Sequence, residues 1–136
     1  TTTSKFATPE GKLGIIPGGG ATQRLPRIVG RAMGMEMLLM GETIDAERAY
    51  QIGLITRLVQ PEELIPMLES MADHIAAFAP LVPQFMKSMV NYGMEAGQHA
   101  GLALEKFAQA ALCETQDKKE GLRAFLEKRP PNWSGR

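Results

Sequence analysis

One glutamate, Glu10, stands directly after Pro9 and a few residues ahead of a run of three glycines, Gly18 to Gly20. Proline fixes its own φ and restricts the residue before it. Glu10 therefore projects from a stiff stretch of backbone, which helps aim a side chain at a reacting atom. A carboxylate held in this way can move protons, and glycines let a backbone turn tightly or come close to a ligand. Composition alone favours the plainer alternatives, a solvated loop glutamate and ordinary turn glycines, which suffice for Gly19 and Gly20. The other reactive side chains form no constellation. His74 and His99 lack a partner pattern, and two isolated histidines make a poor metal site, so no metal is assigned. Cys113 is the single cysteine and falls in a helical pattern, where a buried structural thiol is a better reading than a nucleophile. Lys128 closes a helical stretch and would stabilise the helix dipole there.

The elements that must position these residues can be read along the chain. Thr3 to Ala7 reads as a short strand, which Thr8-Pro9 pushes out of any regular ladder. Leu13 to Ile16 is a second short apolar run, closed by Pro17 and the glycines. Ala21 to Val29 reads as a helix limited or kinked by Pro26. Arg31 to Met40 places Met33, Met37 and Met40 four and three residues apart on one helical face, a stripe more often core than cofactor pocket. Gly41 ends that helix, and Asp45 is suited to cap a shorter one that runs through Ile52 and ends at Gly53. Leu54 to Val59 alternates with the period of a strand. Pro61 suits a first helical position, with Glu62 and Glu63 near the positive end of the dipole. From there the pattern is helical. Leu64, Leu68, Met71 and Ile75 repeat until Pro80, and further helices run from about Pro83 to Met94, Leu102 to Thr115 and Asp117 to Lys128, before Pro130-Pro131. The boundary falls near Gln60, giving a mixed region, 1–60, and a helical region, 61–136. About three short strands make a marginal sheet, so further strands are expected upstream.

The 136 residues fit one domain, and 44% hydrophobic with 22% charged residues is an ordinary globular mixture. Lys plus Arg and Asp plus Glu are equal at 15 each. No net field gathers nucleic acid or presses the chain onto an anionic membrane, and no apolar run is long enough to span a bilayer. Thr1 to Lys5 lacks the apolar centre of a signal peptide. A cytoplasmic setting is the expectation.

The stretch Phe6-Ala7-Thr8-Pro9-Glu10-Gly11-Lys12-Leu13-Gly14-Ile15-Ile16-Pro17-Gly18-Gly19-Gly20-Ala21-Thr22-Gln23-Arg24-Leu25 resembles the signature of the crotonase, or enoyl-CoA hydratase and isomerase, superfamily. Gly41-Glu42-Thr43-Ile44-Asp45-Ala46-Glu47-Arg48-Ala49, followed by Gly53-Leu54-Ile55, is similar to the next helix and strand of that family. Glu120-Gly121-Leu122 through Phe125-Leu126-Glu127-Lys128-Arg129 is similar to its closing helix. The resemblance implies an α/β fold: the C-terminal part of a crotonase-like (ClpP/crotonase) spiral over 1–60, then a helical region that packs subunits and contacts CoA. It implies an acyl-CoA substrate, no separate cofactor and a homo-oligomer, a trimer or hexamer. Glu10 would be the carboxylate that delivers a proton to the alpha carbon, and the Gly18 N–H would lie beside the catalytic water. Leu13, Pro17, Met37 and Met40 would bind substrate, the two methionines bordering the acyl group, with Lys128 on a phosphate of CoA and Phe125 either by the adenine or packed in its helix stripe.

The resemblance also implies that the partner glutamate and both oxyanion-hole amides lie in an upstream segment outside these residues, so the chain alone is expected to be inactive. Hydration of a 2-enoyl-CoA is the leading activity. An isomerase, dehydratase or acyl-CoA hydrolase on the same fold is the nearest rival, and a noncatalytic CoA-binding or assembly module is the rival of another class.

Overall fold

The computed structural model describes residues 1–136 and divides them into two units, Thr1–Leu68 and Glu69–Arg136. In the first unit, β1 (Lys5–Phe6) pairs antiparallel with β2 (Ile44–Asp45), Lys5 opposite Asp45 and Phe6 opposite Ile44. A 3-10 turn, Pro9–Leu13, precedes α1 (Ala21–Val29) and α2 (Arg31–Met40), and α3 (Ala46–Gln51) follows β2 directly. Asp45 caps α3 as its residue type suggests, its carboxylate accepting from the Arg48 N–H at 2.8 Å. The buried residues of this unit are Leu25 of α1, Gly34 and Met37 of α2, Gly41, and Ala46 and Ala49 of α3.

The packing of α1 on α2 depends on two residues that are poor helix formers. Pro26 lies inside α1, where it provides no N–H to the preceding turn, yet the helix continues to Val29. Gly34 faces it across the pair, and a Cβ built on Gly34 would lie 2.7 Å from the Pro26 Cα. The two helices approach to a distance that only a glycine allows.

Strand content is smaller than the sequence pattern suggests. The expected strand over Thr3 to Ala7 contracts to two residues, and Leu13 to Ile16 begins in the 3-10 turn rather than in a ladder. Leu54 to Val59 forms no strand. A strand requires a paired neighbour, and this segment bonds otherwise. The Leu54 and Ile55 amides return to the Ala49 carbonyl to close α3, and only the Val59 carbonyl receives a cross-chain bond, from the Thr2 N–H.

A second 3-10 turn, Pro61–Glu63, leads into α4 (Leu64–Ala76), which crosses the division between the units. The Glu63 carboxylate accepts from the Gln60 N–H at 3.0 Å, and the Glu63 N–H donates back to the Gln60 carbonyl. The second unit continues with α5 (Leu81–Ala96), α6 (Gln98–Cys113) and α7 (Gln116–Glu127). These helices begin earlier than their apolar stripes imply. Pro83 sits within the first turn of α5, where a missing N–H costs nothing. Thr115 lies outside α6: its hydroxyl accepts from the Lys118 N–H and caps α7. Cys113 is half-buried at the end of α6. Gly93 and Gly101 bring α5 and α6 into backbone contact, with a Cβ on Gly101 only 3.2 Å from the Gly93 Cα.

The segment after α7 folds back along that helix and is held by two carboxylates. Asp117, 3% exposed, accepts from the Ser134 N–H at 2.6 Å, the Ser134 hydroxyl at 2.8 Å and the Gly135 N–H at 2.9 Å. Glu120 accepts from the Asn132 N–H, pairs in bidentate fashion with Arg129, and also receives Arg123. Trp133 donates its indole N–H to the Ala77 carbonyl at 2.7 Å, and its ring rests where Gly121 has no side chain.

This clasp makes an acid-stability prediction. The Ser134 N–H holds the Asp117 carboxyl below its ordinary range, outweighing burial, and the Ser134 hydroxyl and Gly135 N–H assist while the Glu120 charge opposes. Arg129 does the same for Glu120, with help from the Asn132 N–H and Arg123. Both carboxyls are depressed in the folded state, so their contribution is present above the unfolded carboxylate range of about 4 and is lost as the pH falls below it. Asp117→Asn is expected to lower the melting temperature near pH 7, followed by the fluorescence of the single tryptophan, and to approach the parent as both are acidified toward pH ~2. A stability gap that stays constant with pH would show that the charge of Asp117 contributes nothing.

Candidate active site

Glu10 is placed by a short sequence of local constraints. Thr8 leaves β1 in a non-helical conformation and Pro9 occupies the first position of the 3-10 turn. The turn closes at Gly14, in the left-handed region at φ 73°, where its N–H reaches the Gly11 carbonyl and the Ile15 N–H reaches the carbonyl of Glu10. Glu10 therefore lies on a 3-10 turn that follows the short strand β1.

That turn is seated on the C-terminus of α2. The Thr8 hydroxyl donates to the Met37 carbonyl at 2.8 Å, and the same carbonyl accepts the capping N–H of Gly41 at 3.1 Å. Gly41 is left-handed at φ 58°, and a Cβ there would stand 3.2 Å from the Thr8 carbonyl oxygen and 3.5 Å from the Pro9 Cα. The Met37 carbonyl thus accepts twice, from the cap that ends α2 and from the hydroxyl that anchors the turn bearing Glu10.

The Glu10 side chain is half-buried, and its Oε2 is buried without a hydrogen-bond partner in the chain. Buried polar atoms are overwhelmingly paired, and a carboxylate oxygen is among the costliest to leave alone. The chain just downstream exposes apolar residues. Leu13 is 74% exposed and Ile15 and Ile16 are exposed beside it, with Pro17 half-buried. Gly18 is exposed, and a Cβ added to it would meet nothing within 4 Å. Packing within the chain therefore gives no reason for a glycine at that position. Gly20, in contrast, is required by its φ of 91° and caps α1, its carbonyl accepting from the Gln23 and Arg24 N–H groups; the Arg24 guanidinium turns back to the Gly19 carbonyl.

The structure brings Glu10, Leu13, Pro17 and Gly18 onto one continuous stretch and joins it to α2 at Met37. The Met37 side chain is 6% exposed and sits in the core, whereas Met40 is largely exposed. Phe125 and Lys128 belong to the second unit. Phe125 is 79% exposed. Lys128 caps α7 in the left-handed conformation, φ 54°, and is the one non-glycine residue with positive φ, a conformation that costs a side-chain-bearing residue about 1 kcal/mol. Neither residue lines the apolar cavity of about 770 Å³ that α5, α6, α7 and Trp133 enclose with Phe85, Met89 and Leu112. Sequence reasoning missed Thr8 and Gly41 as parts of the site. The signal for Thr8 was the hydroxyl preceding Pro9-Glu10; Gly41 looked only like a helix terminator.

Comparison with known proteins adds family and fold. The family model described as enoyl-CoA hydratase/isomerase matches residues 1–136. A crotonyl-CoA hydratase of Syntrophomonas wolfei is 42% identical over 130 residues, 96% of this chain and 50% of that protein. The 2,3-dehydroadipyl-CoA hydratase of Escherichia coli is 38% identical over 133 residues, 98% of this chain and 52% of that protein. Among solved structures, an enoyl-CoA hydratase from Bacillus anthracis superposes with a TM-score of 0.96 at 35% identity, covering 99% of this chain and 52% of that one. The chain spans about half the length of the curated relatives it matches.

Proposed function

Since the chain belongs to the enoyl-CoA hydratase/isomerase family, we propose that the whole protein adds water to a 2-enoyl-CoA thioester, with Glu10 as one of its acid/base carboxylates. The observation that supports this is the buried, unpartnered Oε2 of Glu10 on a turn that Thr8 anchors to α2. In the reaction the water oxygen bonds to C3 and a proton is delivered to C2 as the C2–C3 π bond breaks. Glu10 supplies the C2 proton, and a second carboxylate takes one from the water. Donors to the thioester oxygen hold the charge that develops there. That second carboxylate and those donors are assigned to residues outside these 136, which alone are expected to be inactive.

Leu13, Pro17, Met37 and Met40 would contact the acyl chain, and the unobstructed backbone of Gly18 suits close approach by substrate or water. Phe125 and Lys128 would contact the adenine and a phosphate of CoA. No cofactor beyond the CoA thioester is required. The region over 1–60 serves the chemistry, while 61–136 serves CoA contact and homo-oligomer packing, as a trimer or hexamer. Glu10 and the adjoining glycine turn favour this reading over a noncatalytic CoA-binding module. No helix is long and apolar enough to cross a membrane; the setting proposed is cytoplasmic.

The test is loss of the conjugated-thioester absorbance of crotonyl-CoA on incubation with the full-length protein, with the 3-hydroxyacyl-CoA product identified by mass. A double-bond shift without a mass gain would assign an isomerase instead, and release of free CoA a hydrolase. Lys128→Gly supplies a second measurement. It relieves the left-handed backbone, so the melting temperature should hold or rise by a few degrees, while loss of a phosphate contact raises KM. An unchanged KM would remove Lys128 from the CoA site.

A further inference from the structure

We infer that Thr8 is a positioning residue for Glu10, its hydroxyl locking the 3-10 turn to the last turn of α2 so that the carboxylate is aimed before substrate arrives. The inference rests on Glu10 acting as an acid/base group, and it adds the device that holds Glu10 in place.

Three observations converge on it. The first is the bond itself: the Thr8 hydroxyl donates at 2.8 Å to the Met37 carbonyl, linking residues 29 apart in the chain. The second is the space made for it. Gly41 has no side chain where one would press within 3.2 Å of the Thr8 carbonyl and 3.5 Å of Pro9, so α2 ends in a cap shaped to receive this turn. The third is the state of Glu10. Its Oε2 is buried and receives no hydrogen bond from the chain, so nothing at that atom holds the side chain, and its aim depends on the backbone beneath it.

The elements on either side of Glu10 do not replace this anchor. Pro9 fixes a dihedral but donates no bond. The two bonds that close the turn, from Gly14 and Ile15 to the Gly11 and Glu10 carbonyls, are internal to the loop and would move with it. Among the bonds of this turn, only that of Thr8 ties it to a helix. Catalysis is sensitive to such anchors because a displacement of about 1 Å at an acid/base group can cost up to about a hundredfold in rate.

The experiment compares Thr8→Val, nearly isosteric but without a donor, with Thr8→Ser, which keeps the donor, in the full-length protein. Thr8→Val should lower kcat for crotonyl-CoA by about tenfold or more with KM little changed, and Thr8→Ser should recover most of the rate. If valine is not tolerated, Thr8→Ala gives the same comparison. A wild-type kcat in the valine or alanine variant, a rise confined to KM, or equal rate losses in the valine and serine variants would overturn the inference. Glu10→Gln, assayed in parallel, separates it from the reading beneath it. If Glu10→Gln is inactive and Thr8→Val is fully active, only the positioning role fails. If Glu10→Gln is fully active, the role of Glu10 fails and that of Thr8 with it.

Discussion

Glu10→Gln in the full-length protein is expected to lower kcat for hydration of a 2-enoyl-CoA by about 10²–10⁴-fold, the usual contribution of a positioned acid/base group. KM should change little, because the glutamine keeps the shape and loses only the capacity to give and take a proton. Stability should move the other way. The Oε2 of Glu10 is buried and unpaired, a polar atom held at a cost to the fold, and the melting temperature of Glu10→Gln should equal or exceed that of the parent. A residue that is costly to the fold and valuable to the reaction is the pattern expected at functional sites. A solvated loop glutamate would change neither quantity. Full activity with unaltered stability would therefore reduce Glu10 to that plainer role.

Gly34→Ala is expected to destabilise the protein despite the gain in helix propensity. Alanine is favoured over glycine inside a helix by about 1 kcal/mol, and at an open position that gain would dominate. At Gly34 the added Cβ would stand 2.7 Å from the backbone Cα of Pro26 and 2.9 Å from its Cγ, distances that require α1 and α2 to separate. Overpacking of this kind costs about 1–3 kcal/mol, and the atoms met are a backbone carbon and a closed ring rather than the end of a flexible side chain, so the upper part of that range applies. A net loss of about 1–2 kcal/mol, or some 4–8 °C per kcal/mol in a unit of this size, should appear in thermal unfolding. The control is Gly11→Ala, where a Cβ meets nothing within 4 Å. The effect should also reach the site, since α2 carries the Met37 carbonyl and the Gly41 cap on which the Glu10 turn rests. Equal melting temperatures for the two variants would show that α1 and α2 part without cost.

How much of this could be read from the chain depended on whether the controlling interaction was local. The helices Ala21–Val29 and Arg31–Met40, the Asp45 cap and the Pro61 entry follow from spacing and capping within a few residues, and the structure has them as expected. Leu54 to Val59 has the alternation of a strand but finds no ladder, because alternation records which faces differ and pairing is decided elsewhere. Thr115, which the helical pattern extended into α6, is the cap of α7, a choice made by which N–H its hydroxyl could reach. Asp117 read as an acid opening a helix and proved to be a buried clasp for a segment that returns 17 residues later.

The sequence by itself determined the family, the run from Pro9 to Gly20 that carries the candidate chemistry, and Glu10 as its one carboxylate, because residue types in a fixed order are a local property. Tertiary structure alone decided that Thr8 bonds to Met37, that Gly41 opens the seat for that turn, that Gly34 meets Pro26, and that one oxygen of Glu10 is buried without a partner. Each of these joins residues distant in the chain or depends on what surrounds a single atom. Hydrophobic period, propensity and capping signals act over a few residues, so they specify elements but not which atoms of two elements meet.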